Sequence, residues 1–138
     1  MATIRHSEII AAPPEKVFSV LCQVEDFADY SDLIKRIEPL GGERYRWHVR
    51  ALKMDWTFDV EVTESRAPEV LAWESVDGVK NYGRYHLRAV PQGTEVSLTL
   101  TYEIRNRLME RAVNKAATPL VNKVSRQILE RVEAKLNE

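Results

Sequence analysis

The side chains best placed for chemistry in this 138-residue sequence are hydroxyls set among aromatic and aliphatic residues. Ser75 follows Trp73 by two residues, and Tyr85 shares the parity of Gly83 and Leu87, so in extended chain each turns to the side of its apolar neighbours. Tyr102 does the same in the run Val96, Leu98, Leu100, Tyr102, Ile104, and Tyr30 is expected near the entrance to that face. Hydroxyls on an apolar face can donate hydrogen bonds to a carbonyl oxygen. With a charged partner to shift their pKa they can also move protons at it. No arginine or carboxylate falls clearly on that face, and His48 and His86 lie in register with arginines on the opposite one. These hydroxyls are therefore expected to orient a bound molecule ahead of transforming it, and no catalytic residue is assigned.

Other chemistries lack their residues. The three histidines, His6, His48 and His86, have no HExxH or other short metal-ligand spacing, and no cysteine cluster accompanies them. Five glycines form neither GxGxxG nor GxxxxGK[ST], which excludes the familiar phosphate loops. No cofactor or metal is expected. The single cysteine, Cys22, cannot pair within the chain; amid Val17, Phe18, Val20 and Leu21 it reads as a small buried hydrophobe.

The elements that must position these residues follow from periodicity. Residues 3–11 read as a strand stopped by Ala12-Pro13-Pro14, with Pro14 in the first turn of a short helix through Leu21 and a second short helix over Val24 to Tyr30. Alternation of period two then marks strands over 43–51, 54–66 and the segment carrying Val96 to Ile104. Further strands are expected at about 34–40, 69–76 and 81–90, with hairpins at Leu52-Lys53 and Pro91-Gln92-Gly93. One wet face and one apolar face imply an antiparallel sheet covered on one side. The cover is the segment 107–136, where Leu108, Ala112, Ala116, Leu120, Val124, Ile128, Val132 and Leu136 recur at four-residue spacing. Pro119 should kink that helix or restart it after Thr118. The expected fold class is α+β: a curved seven-stranded antiparallel sheet wrapped around a long C-terminal helix, with two short helices after the first strand, in a single domain over 1–138. Large rings at Trp47, Trp56, Phe58, Trp73 and Tyr102 would face Ala112, Ala116 and Ala117. They either interdigitate as dry core or line a pocket.

The strings "VEDFADYSDLIKRIEPLG", "RYRWHV", "LAWESVDGVKNYGRYHL" and "GTEVSLTLTYEI", in this order of elements, resemble the START and birch-pollen-allergen superfamily, also called SRPBCC. More narrowly the sequence is similar to the bacterial branch that groups polyketide cyclases/dehydrases with coenzyme Q-binding START proteins. The sharpest match is the tryptophan-x-serine-x-x-glycine signature at Trp73, Ser75 and Gly78, followed by Asn81 and Gly83. The resemblance implies a helix-grip fold with a cavity between sheet and helix for apolar or aromatic molecules such as a lipid, an isoprenoid quinone or a polyketide. Trp47, Trp56, Phe58, Trp73, Ser75, Asn81, Tyr85, Tyr102, Ala112 and Ala116 are the expected lining. The same family contains aromatase/cyclases, so enzymatic action on a ketide stays open, as does association with a ribosome or membrane; the fold does not decide.

Charge and composition bound the partners. At 44% hydrophobic and 30% charged residues with a formal net charge of −1, the chain lacks the positive excess of a DNA-binding protein. Residues 105–138 carry eight basic and four acidic side chains, a local +4 against −5 elsewhere, which reads as a solvated helix face before it reads as an anion-binding one. The rows Arg44, Arg46, His48, Arg50 and Arg84, His86, Arg88 are expected to pair with Asp55, Asp59, Glu61 and Glu95 across strands. No signal peptide or run of about 18 apolar residues is visible, so a reducing cytoplasmic setting is expected.

Overall fold

The computed structural model describes residues 2–137; Met1, and Glu138 of the C-terminal charge count, lie outside the described residues. The chain runs β1 (Ala2–Ile10), α1 (Pro14–Leu21), a 3₁₀ helix (Val24–Asp29), β2 (Ile34–Gly41), β3 (Arg44–Ala51), β4 (Met54–Arg66), β5 (Val70–Gly78), β6 (Lys80–Val90), β7 (Gly93–Glu103) and α2 (Arg107–Leu136). All strands form one antiparallel sheet in the order β1-β7-β6-β5-β4-β3-β2, curved around α2. This is the helix-grip α+β fold that the sequence implied.

Local chemistry explains the breaks. Pro13, extended at φ −65° and ψ 150°, ends the first excursion, and Pro14 opens α1, whose Val17, Phe18, Val20 and Leu21 are all buried. The β3–β4 hairpin turns on Leu52 and Lys53, both at positive φ (55° and 62°), the conformation that a two-residue turn needs to match strand twist. Asn106 caps α2 by accepting hydrogen bonds from the backbone N–H groups of Leu108 and Met109.

Antiparallel register sorts the two ends of the sheet. The β3–β4 hairpin, the β5–β6 turn and the exit of β7 toward α2 share one end. At the other end, Ile10, Leu87 and Val96 join α1 residues Val17, Phe18 and Leu21 and α2 residues Leu129 and Val132 in the buried core. The second half of α2 is tied down there. Arg126 reaches Glu8 at 3.3 Å, Glu133 accepts from the Ala11 backbone N–H at 2.8 Å, and Gln127 accepts from the Ser31 hydroxyl at 2.7 Å. Over the first half, the Tyr102 hydroxyl donates to Asn114 Oδ1 at 2.6 Å.

Of the two alternatives at Pro119, the restart is excluded, since α2 is helical on both sides of it; the proline is exposed, so the disruption to the backbone ladder falls on the solvent side. Two expectations need correction. Cys22 is exposed, because it caps the end of α1 where the chain leaves toward the 3₁₀ helix. Its thiol is nonetheless raised above its ordinary pKa, first by desolvation and further by the charge of Glu43. Ala112 is also exposed, and Leu108 is 84% exposed. A strict four-residue stripe advances 400° per step on a helix of 3.6 residues per turn, so it slides roughly 40° each time. Anchored at buried Ile128 and Val132, it has left the sheet by residue 112.

The outer face of the sheet is neutralised across strands. Arg44 meets Glu61 at 3.2 Å, Arg50 meets Asp55 at 3.1 Å, and Arg88 meets Glu95 at 2.9 Å. Arg46 grips Asp59 with two hydrogen bonds, at 2.9 and 3.1 Å, and holds that carboxyl below its ordinary pKa. Asp59→Asn should lower stability by about 1 kcal/mol at pH 7, the scale of a bidentate pair that is half open to water. A depressed folded-state pKa means that the unfolded chain binds the proton more readily. The contribution is therefore full above about pH 4 and lost as pH falls through the folded value. Urea unfolding of both proteins at pH 7 and pH 3 should show the difference between them shrinking in acid.

Candidate functional site

Between the sheet's inner face and α2 lies a cavity of about 300 Å³, at the small end of the range for ligand sites. Strand alternation builds the sheet wall. Tyr45, Trp47 and Val49 come from β3; Trp56, Phe58, Val60 and Val62 from β4; Leu71 and Trp73 from β5; Asn81 and Tyr85 from β6; and Leu98, Leu100 and Tyr102 from β7. From α2 come Val113, Ala117, Leu120, Val121, Val124, Ser125 and Ile128, while Val24, Phe27 and Leu33 close the side next to β2. At the end of the sheet away from α1, Leu33, Leu52, Val79, Ile104 and Val113 bring wall residues from five different segments.

The rings hold one another. Trp47 stacks on Phe58 with centroids 6.1 Å apart and takes Phe27 at 5.9 Å, with their planes at 87°. Trp73 tilts against Tyr85 at 5.5 Å. Gly83 faces Trp73 in the register, and a Cβ there would collide with the six-membered part of the indole, so the glycine leaves room for that ring.

The sequence-derived residues divide accordingly. Trp47, Trp56, Phe58, Trp73, Asn81, Tyr85 and Tyr102 stand on the wall; Ser75, Ala112 and Ala116 do not. Ser75 pairs with Val60, a wall residue, but its hydroxyl is taken by the turn, accepting from the Asn81 backbone N–H at 2.9 Å. The Asn81 side chain, 7% exposed, donates to the Val79 carbonyl in the same turn. Ala112 and Ala116 yield to Val113 and Ala117, one position further round the helix.

Electrostatically the wall is quiet: no Asp, Glu, Lys, Arg or His is among its described residues. Burial pushes the Tyr85 hydroxyl well above its ordinary pKa, and desolvation raises Tyr102 with a smaller contribution from Glu110. Both are neutral donors at physiological pH. No group of His, Cys, Asp and Glu suited to a metal occurs among the described residues, and none of the helices they form is long and apolar enough to cross a membrane.

The profile of the polyketide cyclase / dehydrase and lipid transport family matches residues 1–137. The chain belongs to that family. Its fold is shared by a Thermus thermophilus protein at 25% identity, with a TM-score of 0.80 over 97% of this chain and 99% of that one. A START superfamily protein from Mycobacterium smegmatis aligns with a TM-score of 0.71 at 14% identity, over 98% of this chain and 97% of that one. The ZhuI aromatase/cyclase of Streptomyces sp. R1128 aligns with a TM-score of 0.71 at 16% identity, over 98% of this chain and 95% of that one. No curated protein matches the sequence. Membership in this family goes with the conjunction of a gripping sheet and a hollow, ring-lined interior.

Proposed function

We propose that this protein binds or carries a hydrophobic small molecule, of the lipid, isoprenoid-quinone or polyketide kind, in the cavity between sheet and α2. The observation that carries this reading is the wall made almost wholly of aromatic and aliphatic side chains, without a charged residue. Such a wall gains free energy by taking apolar surface out of water, at about 25 cal/mol per Å². A largely apolar cavity also holds water poorly. The likeness to an aromatase/cyclase supports a second reading, proton transfer on a ketide. Here that work would fall to Tyr85, whose raised pKa makes it a weak acid and excludes it as a base near neutrality. Binding is therefore favoured over chemistry. Docking through the basic face of α2 has less support, since Arg126 and Lys135 are already engaged by Glu8 and Asp26. A lone thiol, with no pair to oxidise, suits a cytoplasmic setting.

Native mass spectrometry of freshly purified protein, with an organic extract run alongside, tests the reading. A stoichiometric apolar adduct is the expected result. A bare mass that stays bare after incubation with lipid, quinone and ketide extracts would sink it.

A further inference from the structure

Three large apolar side chains left on the surface gather at one end of the molecule. Leu52 and Met54, at the tip of the β3–β4 hairpin, are 39% and 40% exposed, and Leu108, in the first turn of α2, is 84% exposed. Both tips belong to the end of the sheet away from α1, and the cavity opens there. Leu52 is the one exposed residue among the described residues of the wall, and Val79, Ile104 and Val113 around the same end are half-buried. Deeper toward α1, Leu71, Tyr85, Leu98 and Ile128 are all buried. Positive charge collects at the same mouth. Residues 105–115 carry Arg105, Arg107, Arg111 and Lys115 against Glu110 alone, and Lys53 stands beside Leu52. Asp32 and Asp77, on the neighbouring loops, leave these cations in excess. All five are exposed, and none takes part in an ion pair among the described residues. Arg44, Arg46, Arg84 and Arg88 on the sheet are the contrast, since a carboxylate engages each of them. Arg107 opens α2, the end at which a helix dipole disfavours a cation. That placement does not serve the helix itself and suits an anion supplied from outside.

We propose that this end of the molecule docks on an anionic lipid surface. Leu52, Met54 and Leu108 enter the headgroup layer, and Lys53, Arg105, Arg107 and Arg111 rest on its phosphates. Apolar side chains rimmed by cations bind such interfaces through buried apolar area and electrostatic attraction together. The apolar groups stand on a turn and a helix start, so they can enter a fluid layer without a shape-matched partner. Arg126 and Lys135, already paired in the second half of α2, take no part. Once docked, the cavity mouth faces the bilayer, and an apolar molecule passes between the two without crossing water. Docking needs no occupant, so it stands or falls apart from the binding reading.

Flotation with vesicles of phosphatidylcholine alone, and of phosphatidylcholine with about one-third phosphatidylglycerol, tests this. The wild-type protein should bind the anionic vesicles about tenfold or more tightly than the neutral ones, and lose that preference in high salt. Arg105→Gln with Arg107→Gln should weaken anionic binding about 25-fold, roughly fivefold for each cation. Leu108→Ser should weaken it about tenfold, with no change in melting temperature because that side chain is already in water. Lys123→Gln with Arg131→Gln is the control, removing the same charge from exposed positions in the second half of α2. Lys123 lies about 22 Å along the helix from Leu108, beyond the screening length, so binding should change about twofold at most. No preference for anionic vesicles, an equal loss in the control pair, or full binding by Leu108→Ser overturns the proposal. Capture on polyglutamate without vesicle binding also overturns it and gives the face to an acidic protein. In each of these cases the reading of the cavity is untouched.

Discussion

Replacing Ala117 by phenylalanine should block uptake of apolar ligands while leaving the fold intact. Ala117 is 6% exposed and stands on the helix wall of the cavity, opposite the aromatic side chains of the sheet. A benzyl group added there enters the space that a ligand would use. If it denies a ligand about 100 Å² of contact, the loss is about 2.5 kcal/mol, or close to a hundredfold in affinity. Stability should move the other way or not at all, because the new ring fills a cavity that already exists. Burying it offsets whatever strain its rotamer brings. Fluorene titration and a thermal melt, run on the same two samples, separate these effects. Undiminished binding with an unchanged melt would show that ligands sit elsewhere. A collapse of stability would show that α2 has no room to spare at this position and that the cavity is narrower than its 300 Å³ suggests.

Much of this molecule was legible in the sequence, and the parts that were not have physical causes. Alternation is robust because a strand's period is exact to the residue: Trp47, Trp56, Phe58, Trp73, Tyr85 and Tyr102 all stand on the cavity side where parity put them. The helix was harder. A four-residue repeat resembles the helical period but drifts, and it pointed to Ala112 and Ala116. The series Val113, Ala117, Leu120, Val124 and Ile128 keeps to one narrow face and was present in the same letters. Phe27 and Leu33 gave no signal, since a single 3₁₀ turn and a loop are too short to show a period. Ser75 shows the limit of parity. Alternation assigned its side correctly, but nothing in a strand pattern reveals that a backbone N–H six residues on will claim the hydroxyl. Cys22 shows the limit of neighbourhood: four buried residues before it in α1 do not bury the residue at which the helix stops.

Gly83→Ala should be a strongly damaging single-methyl change, and one whose cost comes from a side chain and not from the backbone. Gly83 is buried in the middle of β6 at an ordinary extended φ, so no turn or left-handed conformation demands a glycine there. In most strands alanine would be tolerated or mildly favourable, since glycine weakens a strand interior. Here the added Cβ meets the Trp73 indole, and the ring cannot simply retreat, because Tyr85 packs against it at 5.5 Å. Forcing a methyl group into packed side chains costs typically 1–3 kcal/mol, and the upper end is expected for a rigid bicyclic ring. For a chain of this size that corresponds to a fall in melting temperature of roughly 5–15 °C. Ligand binding should weaken with it, since Trp73 is displaced toward the cavity that it lines. The steric origin can be isolated with Trp73→Leu, which removes the indole. In that background Gly83→Ala should lose most of its cost, giving a coupling of 1 kcal/mol or more between the two positions (about the largest that contacting residues show is 3 kcal/mol). An undiminished penalty without the indole would mean that β6 needs its glycine for backbone reasons, and that the pairing of Trp73 with Gly83 is coincidental to the shape of the cavity.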